Sequence, residues 1–500
     1  VKTPHTALLA ALGMTILAGC AVGPNYKTPA APSTAGFVPP GALPETTRSI
    51  DAPVGTEQRF VSGLDIPGQW WTLFQSPQIN SLIALALKNS PTLEAAQATL
   101  REANENVAAQ RGSYYPSVSG NYQVEREKSS GAAFGEPGFG SSLYTLNSLS
   151  LSVSYTLDAF GGIRRQVEGL QAQADYQRFA LEASYLSLTS NIVTVAIAEA
   201  SLRAQIAATE AIVEFEQQQL DITQRRVKAG GASRADVLQQ QSTLQATLAS
   251  LPPLRTQLAQ QRNQLATYVG ALPADYAGAA IDLENLTLPA DLPVSVPSKF
   301  VEQRPDIQQY SAQLHQATAQ IGVATANMLP QLTLTGSYGA DAGKFSDLFS
   351  ASSIVYSLAA GIVQPIFKGG TLLHQRRSAI AAAQVAAANY KATVITAFQN
   401  VSDALYAVQA DADALAAQTV AEQSARESLA IERAQYKSGG VSFLQVLTAE
   451  QTYQTAVVNL IKARAQRFSD TAALFQALGG GWWNRNDIAQ NSSDCCKESP

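Results

Sequence analysis

Two stretches of this chain are too long and too regular for an ordinary compact core. Residues 163–228 contain one glycine and no proline, and residues 371–437 contain neither. Uninterrupted runs rich in Ala, Gln and Leu read as helices. At 1.5 Å per residue, each would extend roughly 100 Å. In the first, Leu188, Ile192, Val195, Leu202, Ile206, Val213, Leu220 and Val227 recur at spacings of three and four, with Glu199, Thr209, Glu216 and Thr223 in the vacant slots. That is the spacing of a coiled-coil seam. Val394, Phe398, Val401, Leu405 and Val408 repeat it in the second stretch. A seam so diluted by alanine suits helices laid side by side in a wall better than a solid bundle.

Each stretch stops at a glycine pair, and the two stops are near-copies: "RRVKAGGASRADVL" at 225–238 and "AQYKSGGVSFLQVL" at 434–447. Lys228, Gly230, Gly231 and Ser233 correspond to Lys437, Gly439, Gly440 and Ser442 at one constant offset. "GSYYPSVSGNY" (112–122) resembles "ANMLPQLTLTGSY" (326–338), and "LDAFGGIRRQ" (157–166) resembles "QPIFKGGTLLHQ" (364–375), in the same order. The period is far longer than a solenoid unit, so the chain is a duplicated half. The glycine pairs read as turns of helical hairpins. Glycine takes the left-handed cap conformation without steric cost. Lys228 and Lys437 suit the negative helix end, and Ser233 and Ser442 can cap the returning helices.

Between the helices lie alternating segments. Leu149, Leu151, Val153, Tyr155 and Leu157 share one face of a strand, with Ser150, Ser152, Ser154 and Thr156 on the other. Val118, Tyr122 and Val124 alternate with Ser119, Asn121, Gln123 and Glu125; Leu332, Leu334 and Tyr338 alternate with Thr333, Thr335 and Ser337. Ile354, Tyr356, Leu358 and Ile362 make a weaker fourth case. This pattern fits a sheet between lipid and water, or a half-buried sheet of a soluble domain. The glycine-rich stretches 129–142 and 339–350 read as hairpin loops.

The N-terminus favours the membrane. "VKTPHTALLAALGMTILAGC" has a lysine, a short apolar run and small residues, as in a secretory signal peptide. Leu17-Ala18-Gly19-Cys20 resembles the bacterial lipobox, which implies a lipidated Cys20; Ala21 after it implies sorting to the outer membrane. No later apolar stretch reaches membrane-helix length, so a membrane crossing would have to be a barrel. The other cysteines, Cys495 and Cys496, are adjacent in a polar tail, which makes neither a disulfide framework nor a zinc site. Charged residues are 15 % and the net charge is -5. No basic stripe is present, and nucleic acid is not an expected partner.

Four strands per chain cannot close a membrane barrel, since about eight is the minimum and eight leaves no channel. The chain must therefore associate. Three copies would give twelve strands and a ring of helices continuing the wall. The lipobox followed by "AVGPNYKTP", the twofold repeat and the two glycine turns together resemble TolC/OprM-type outer-membrane efflux channels, in their lipoprotein (NodT-like) branch. The resemblance spans roughly residues 17–480. It implies a mainly helical chain with a transmembrane β-barrel portion, two structural repeats and long antiparallel coiled-coil-like helices. It implies a homotrimer in the outer membrane, palmitoylated at Cys20 and extending into the periplasm. A periplasmic membrane-fusion adaptor and an inner-membrane pump, of RND type, would be its partners.

The corresponding domain plan begins with a signal peptide at 1–19 and a lipidated extended segment at 20–77. Repeat 1 covers 78–272, with strands about 116–127 and 143–158, a long helix about 161–228 and a returning helix about 233–270. A linker outside the helical barrel occupies 273–303. Repeat 2 covers 304–480, with strands about 330–339 and 352–367, a long helix about 370–437 and a returning helix about 442–478; a tail follows at 481–500. Pro252-Pro253 should kink or break the first returning helix, since interior proline costs about 3 kcal/mol.

By the same resemblance the turns Gly230, Gly231, Ala232, Ser233 and Gly439, Gly440, Val441, Ser442 are the adaptor-docking tips. Asp236 and Tyr436 match positions that hold neighbouring hairpins together at the closed end, and Leu444 one that forms an apolar constriction. The family often places acidic rings just after the second turn, where this chain has Gln445 and Thr448; Asp236 and, further along, Glu450 are the acids near the tip. An enzyme is not expected, and no cofactor or metal. His315 and His374 lack metal-ligand partners at useful spacing, and 339–345 lacks the spacing of a phosphate loop. The function read from all this is a passive gated duct for small-molecule efflux. The alternatives are the same fold serving type I protein secretion, or a non-conducting structural lipoprotein.

Overall fold

The structure is a computed structural model, and it describes residues 21–485 apart from 35, 130–141 and 279. The signal peptide, Cys20, most of the loop 129–142 and the tail cysteines lie outside the described residues. In chain order the elements are β1 (Arg59–Ser62), a 3-10 turn (Trp70–Phe74), α1 (Pro77–Asn89), α2 (Pro91–Arg111), β2 (Ser117–Ser129) and β3 (Ser142–Leu157). Then come α3 (Gly162–Lys228), α4 (Arg234–Tyr268), β4 (Asp291–Val294), α5 (Pro297–Gln303) and α6 (Pro305–Ala326). β5 (Gln331–Ala342), β6 (Ile354–Val363), α7 (Thr371–Lys437) and α8 (Phe443–Ala477) complete the order. Contacts divide the chain into two units. One holds residues 99–178 and 309–391 with the N-terminal stretch up to 29; the other holds 30–98, 179–308 and the remainder from 392.

The first unit is built on one antiparallel sheet with strand order β2-β3-β5-β6. Its register puts Val118 opposite Val153, Leu151 opposite Tyr338, and Tyr338 opposite Tyr356. Because side chains alternate with period two, this pairing brings the alternating apolar residues Val118, Leu151, Val153, Tyr338, Tyr356, Leu358 and Ile362 onto one face, while Leu146, Val355 and Val363 fall on the other. Ser119, Ser152, Ser337 and Ser357 fall on the other, where the Ser337 and Ser357 hydroxyls lie 2.8 Å apart. The apolar face is open: Leu151, Tyr356, Leu358 and Ile362 are exposed. The 339–350 segment departs from the sequence expectation. Residues Gly339–Ala342 belong to β5, paired with β3, and only the remainder forms the loop, with a 3-10 turn at Phe345–Phe349. Gly339 lets the strands approach, since a Cβ there would sit 2.3 Å from the Leu149 carbonyl oxygen.

The second unit carries the two helical hairpins and its own core. The seam inferred from the sequence is the buried stripe of α3: Ile192, Val195, Leu202, Ile206 and Leu220 are buried, and so are the polar slots Glu199, Thr209, Glu216 and Thr223. One window of α3, with mean hydropathy 1.3, is apolar enough to cross a membrane by length and composition, contrary to the sequence reading. It is 61 % buried by the protein's own packing, as a core helix is. Pro252 and Pro253 do not break α4, which is continuous from Arg234 to Tyr268. Both prolines are exposed, so their rings need no room in the core. Residues Trp70, Phe74, Phe468 and Phe475 form an aromatic core, with Trp70 stacked on Phe475 at 5.4 Å.

A feature absent from the sequence reading ties the irregular N-terminal segment to this core. β1 pairs in parallel with β4. Arg467 of α8, fully buried, donates to the carbonyls of Val54 (2.6 Å) and Thr56 (2.7 Å) and to the Thr47 hydroxyl (3.2 Å). Charge-assisted bonds of this kind contribute about 1.5–3 kcal/mol each when a partner would otherwise be left unsatisfied. Arg467→Met is therefore expected to destabilise the protein by about 3 kcal/mol and to expose residues 47–62 to protease. Thermal melts and limited proteolysis check this.

Candidate functional site

The two hairpin turns are built by the same bonds. After α3, the Gly231 amide donates to the Arg226 carbonyl (2.8 Å) and the Gly230 amide to Val227 (3.0 Å). After α7, Gly440 donates to Gln435 (2.9 Å) and Gly439 to Tyr436 (3.1 Å). These pairs are Schellman closures, and they require the first glycine in the left-handed region; Gly230 has φ +78° and Gly439 φ +80°. No neighbouring atom lies near the position of an added Cβ on Gly230 or Gly439, so conformation rather than space demands glycine. Ser233 and Ser442 then cap α4 and α8.

The caps account for two of the gate candidates. Asp236 accepts the Ser233 backbone amide at 2.8 Å, and Gln445 accepts that of Ser442 at 2.8 Å, each closing a capping box. They are repeat equivalents, one acidic and one neutral, with the same job. Thr448 donates its hydroxyl to the Leu444 carbonyl at 3.0 Å. Leu444 itself is 65 % exposed, an apolar side chain presented at the turn. Gly230, Gly231, Ser233, Gly439, Gly440 and Ser442 are exposed, and Ala232 and Val441 half-buried.

Tyr436 is placed differently. Its ring lies under the Arg226 guanidinium at 4.6 Å and against Phe443 at 5.5 Å. The contact joins the end of α3 to the end of α7, so one hairpin is held to the other by a cation–π interaction worth about 0.5–1 kcal/mol at an exposed site. Arg226 was not singled out in the sequence. Its only signal was position: the second of two arginines in the last turn before the glycine pair.

Higher in the hairpins is a buried polar cluster. Glu216 of α3 is fully buried; its carboxylate takes the Thr247 hydroxyl (3.0 Å) from α4 and the Gln454 amide from α8. Glu450 of α8, 3 % exposed, pairs with Arg433 of α7 at 3.4 Å. The Arg433 guanidinium also lies 3.7 Å from the Phe215 ring centroid. Arg433 answers Glu450 while neutral donors hold Glu216, and all four hairpin helices take part. A cavity of about 340 Å³ opens beside it, lined by Ala211, Phe215, Arg433, Glu450 and Tyr453 among others. Burial pushes the Glu450 carboxyl up to about 7, with Arg433 lowering it and Glu216 raising it further; burial also raises Glu216. The repeat equivalents of Glu216 and Glu450 are Ala425 and Gln241, so this cluster belongs to one arrangement of the hairpins only. Among the described residues, no group of three or more His, Cys, Asp or Glu is placed to hold a metal ion.

Comparison with known proteins agrees with this architecture. The sequence profile of the family described as "Outer membrane efflux protein" matches residues 82–271 and 296–480. The probable efflux pump outer membrane protein TtgC of Pseudomonas putida is 29 % identical over 96 % of this chain and 96 % of that protein. Nodulation protein T of Rhizobium leguminosarum bv. trifolii is 26 % identical over 93 % and 96 %. The cation efflux system protein CusC of Escherichia coli is 27 % identical over 93 % and 96 %. Among solved structures, the outer-membrane channel OprN superposes with a TM-score of 0.82 at 26 % identity, covering 93 % of this chain and all of that one.

The buried cluster sets a pH dependence. A carboxyl whose folded pKa is raised stabilises the fold fully below its ordinary pKa, and that stability is lost as pH rises through the folded value. For Glu450 the window runs from 4.5 to about 7. Asp411, pushed up to about 8 by burial and by its hydrogen bond to Asp470, has the same sign. The detergent-solubilised protein should therefore become more stable from pH 8 down to pH 6, by on the order of 1–3 kcal/mol. Glu450→Gln should flatten part of that slope and be the more stable protein at pH 8. Chemical denaturation across the pH series checks both.

Proposed function

This chain belongs to the outer membrane efflux protein family, and from that premise we propose that three copies form one gated conduit for small molecules. The protein is the outer-membrane channel component of a tripartite efflux system, working with a periplasmic adaptor and an inner-membrane pump. The family is one of transport components rather than catalysts. The observation that carries the trimer is the open sheet. β2 and β6 are its edges, and its apolar face is exposed. In lipid an unpaired edge leaves backbone groups unsatisfied at several kcal/mol each, and joining three sheets edge to edge removes all the edges with twelve strands.

In this reading the polar face of the sheet, with Ser119, Ser152 and Ser337, lines the lumen. The turns at Gly230–Ser233 and Gly439–Ser442 are the adaptor-docking tips, supported by their exposure and their rigid Schellman closures. Leu444 is the constriction, and Tyr436 the latch, with Arg226 as its partner. Asp236, Gln445 and Thr448 act at the gate by fixing where α4 and α8 begin. Cys20, supported by the lipobox sequence alone, carries the lipid. The pump is of RND type, the class that such lipoprotein channels serve by family resemblance. TtgC and CusC are named for efflux of organic compounds and cations; for this chain the substrate class is small solutes, selected by the pump.

Chemical crosslinking of the purified protein should give a trimer, and planar bilayers should give a small, flickering conductance. Tyr436→Ala and Arg226→Ala should each raise the mean conductance several-fold, with Leu444→Ser doing so by widening the constriction. A monomer, or a trimer that stays silent in all three variants, would sink the conduit and leave a structural lipoprotein. A cognate pump operon exporting a polypeptide would instead favour protein secretion.

A further inference from the structure

The proposed conduit assigns no part to the motif "AVGPNYKTP", yet the start of it is held by more bonds than a tether needs. The Val22 amide donates to the Phe160 carbonyl at 3.0 Å. Arg165, 3 % exposed, donates through Nε to the Val22 carbonyl (3.1 Å) and through Nη2 to the Gly23 carbonyl (3.4 Å) and Asn25 Oδ1 (2.7 Å). Its Nη1 donates to Glu168 (2.6 Å), and the other Glu168 oxygen meets His315 Nε2 at 3.0 Å. The His315 ring stacks on Tyr26 at 4.4 Å and 17°, and the Tyr26 hydroxyl lies 2.7 Å from that of Ser311. Every polar group of Arg165 is directed by this one segment or by the residue that braces it.

Glycines from three separate stretches clear the path. A Cβ on Gly23 would lie 2.5 Å from Gly322 Cα, one on Gly161 2.5 Å from Ala21 Cα, and one on Gly322 2.7 Å from Arg165 Cγ. Only Gly23 and Gly161 have positive φ. Gly322, four residues before the end of α6, is present for space alone, at a helix-propensity cost of about 1 kcal/mol. The segment therefore lies in a prepared cleft between the first turns of α3 and the second half of α6. Phe160 lies between the end of β3 and the start of α3, where the sheet gives way to helix.

We infer that Ala21–Tyr26 is a docked strap, and that the cleft built by Arg165, Glu168, His315 and Gly322 is its binding site, fixing the chain's N-terminal end at the sheet–helix junction so that a lipid on the preceding residue enters the bilayer beside the barrel wall. The placement at the membrane rests on the lipidation proposed above; the docking rests on the geometry alone. Fixing the strap removes the slack that a flexible tether of several residues would give the anchor.

Hydrogen exchange on the full-length protein in detergent tests the docking. Peptides covering residues 22–26 should be protected in the wild type and should exchange at least tenfold faster in Arg165→Met, while peptides from β3 and β5 stay unchanged. Tyr26→Ala, altered on the strap and not in the cleft, should act in the same direction if Arg165→Met fails to fold. Unprotected 22–26 in the wild type, or protection that survives both variants, overturns the inference. The anchoring role has its own test. Four residues inserted between Ala21 and Val22 should cut the yield of outer-membrane trimer several-fold, and the same insertion between Ser33 and Thr34, beyond the cleft, should not. Equal yields would overturn the role of the cleft in placing the anchor. Palmitate labelling of the wild type judges lipidation separately, since a docked strap without label would leave the cleft intact and remove the lipid.

Discussion

An open four-stranded sheet with one apolar face is not a finished object. Its backbone groups at β2 and β6 have no partners within the described residues of one chain, and no rearrangement of four strands provides them. In water such edges can be solvated; in hydrocarbon they cannot. Everything else in the protein is compatible with that constraint. The strands are registered so that Val118, Leu151, Val153, Tyr338 and Tyr356 share a face, the helices that follow them are long and lightly seamed, and the turns are closed by bonds that leave their surfaces free. In the proposed assembly, three copies are the smallest number that would answer the sheet and still leave a lumen.

The duplication supplies the frame, and the departures from it supply the specialisation. Both turns have the same Schellman closure and the same capping box. Yet Tyr436 stands where the first repeat has Val227, and the buried pair Glu216 and Glu450 stands where the other copies have Ala425 and Gln241. The two hairpins are thereby made unequal: one carries the aromatic ring, the other the arginine over it. Two buried acids of which only Glu450 meets an arginine are costly, and the cluster links all four hairpin helices. Such a cluster makes the packing of hairpin on hairpin sensitive to protonation.

Much of this was legible residue by residue. The seam could be read because a helix surface repeats every three or four residues, and the polar slots Glu199, Thr209, Glu216 and Thr223 stood out by occupying it. The strands could be read because Leu149–Leu157 alternate without a break. The turns could be read because glycine pairs interrupt runs that otherwise lack them. What misled was equally local. Pro252-Pro253 suggested a kink or a break, and α4 runs through them without breaking, with both prolines exposed. The glycines at 339 and 343 looked like a loop, and the strand continues because Gly339 lets a neighbouring backbone come close.

The sequence by itself determined the long helices, the four strands of the sheet, their order, their duplication and the alternation of apolar and polar residues along the strands, because those follow from periodicity and from the backbone conformations that glycine and proline allow. Tertiary structure alone decided which side chains meet. Arg226 and Tyr436 are far apart in the chain, as are Arg467 and Val54, or Arg165 and Asn25, and no spacing rule connects them. The long helices bring such pairs together, and desolvation then decides their strength. That is why the architecture could be read from residues taken one at a time, while the Arg226–Tyr436 contact, the buried acids and the N-terminal cleft required the fold.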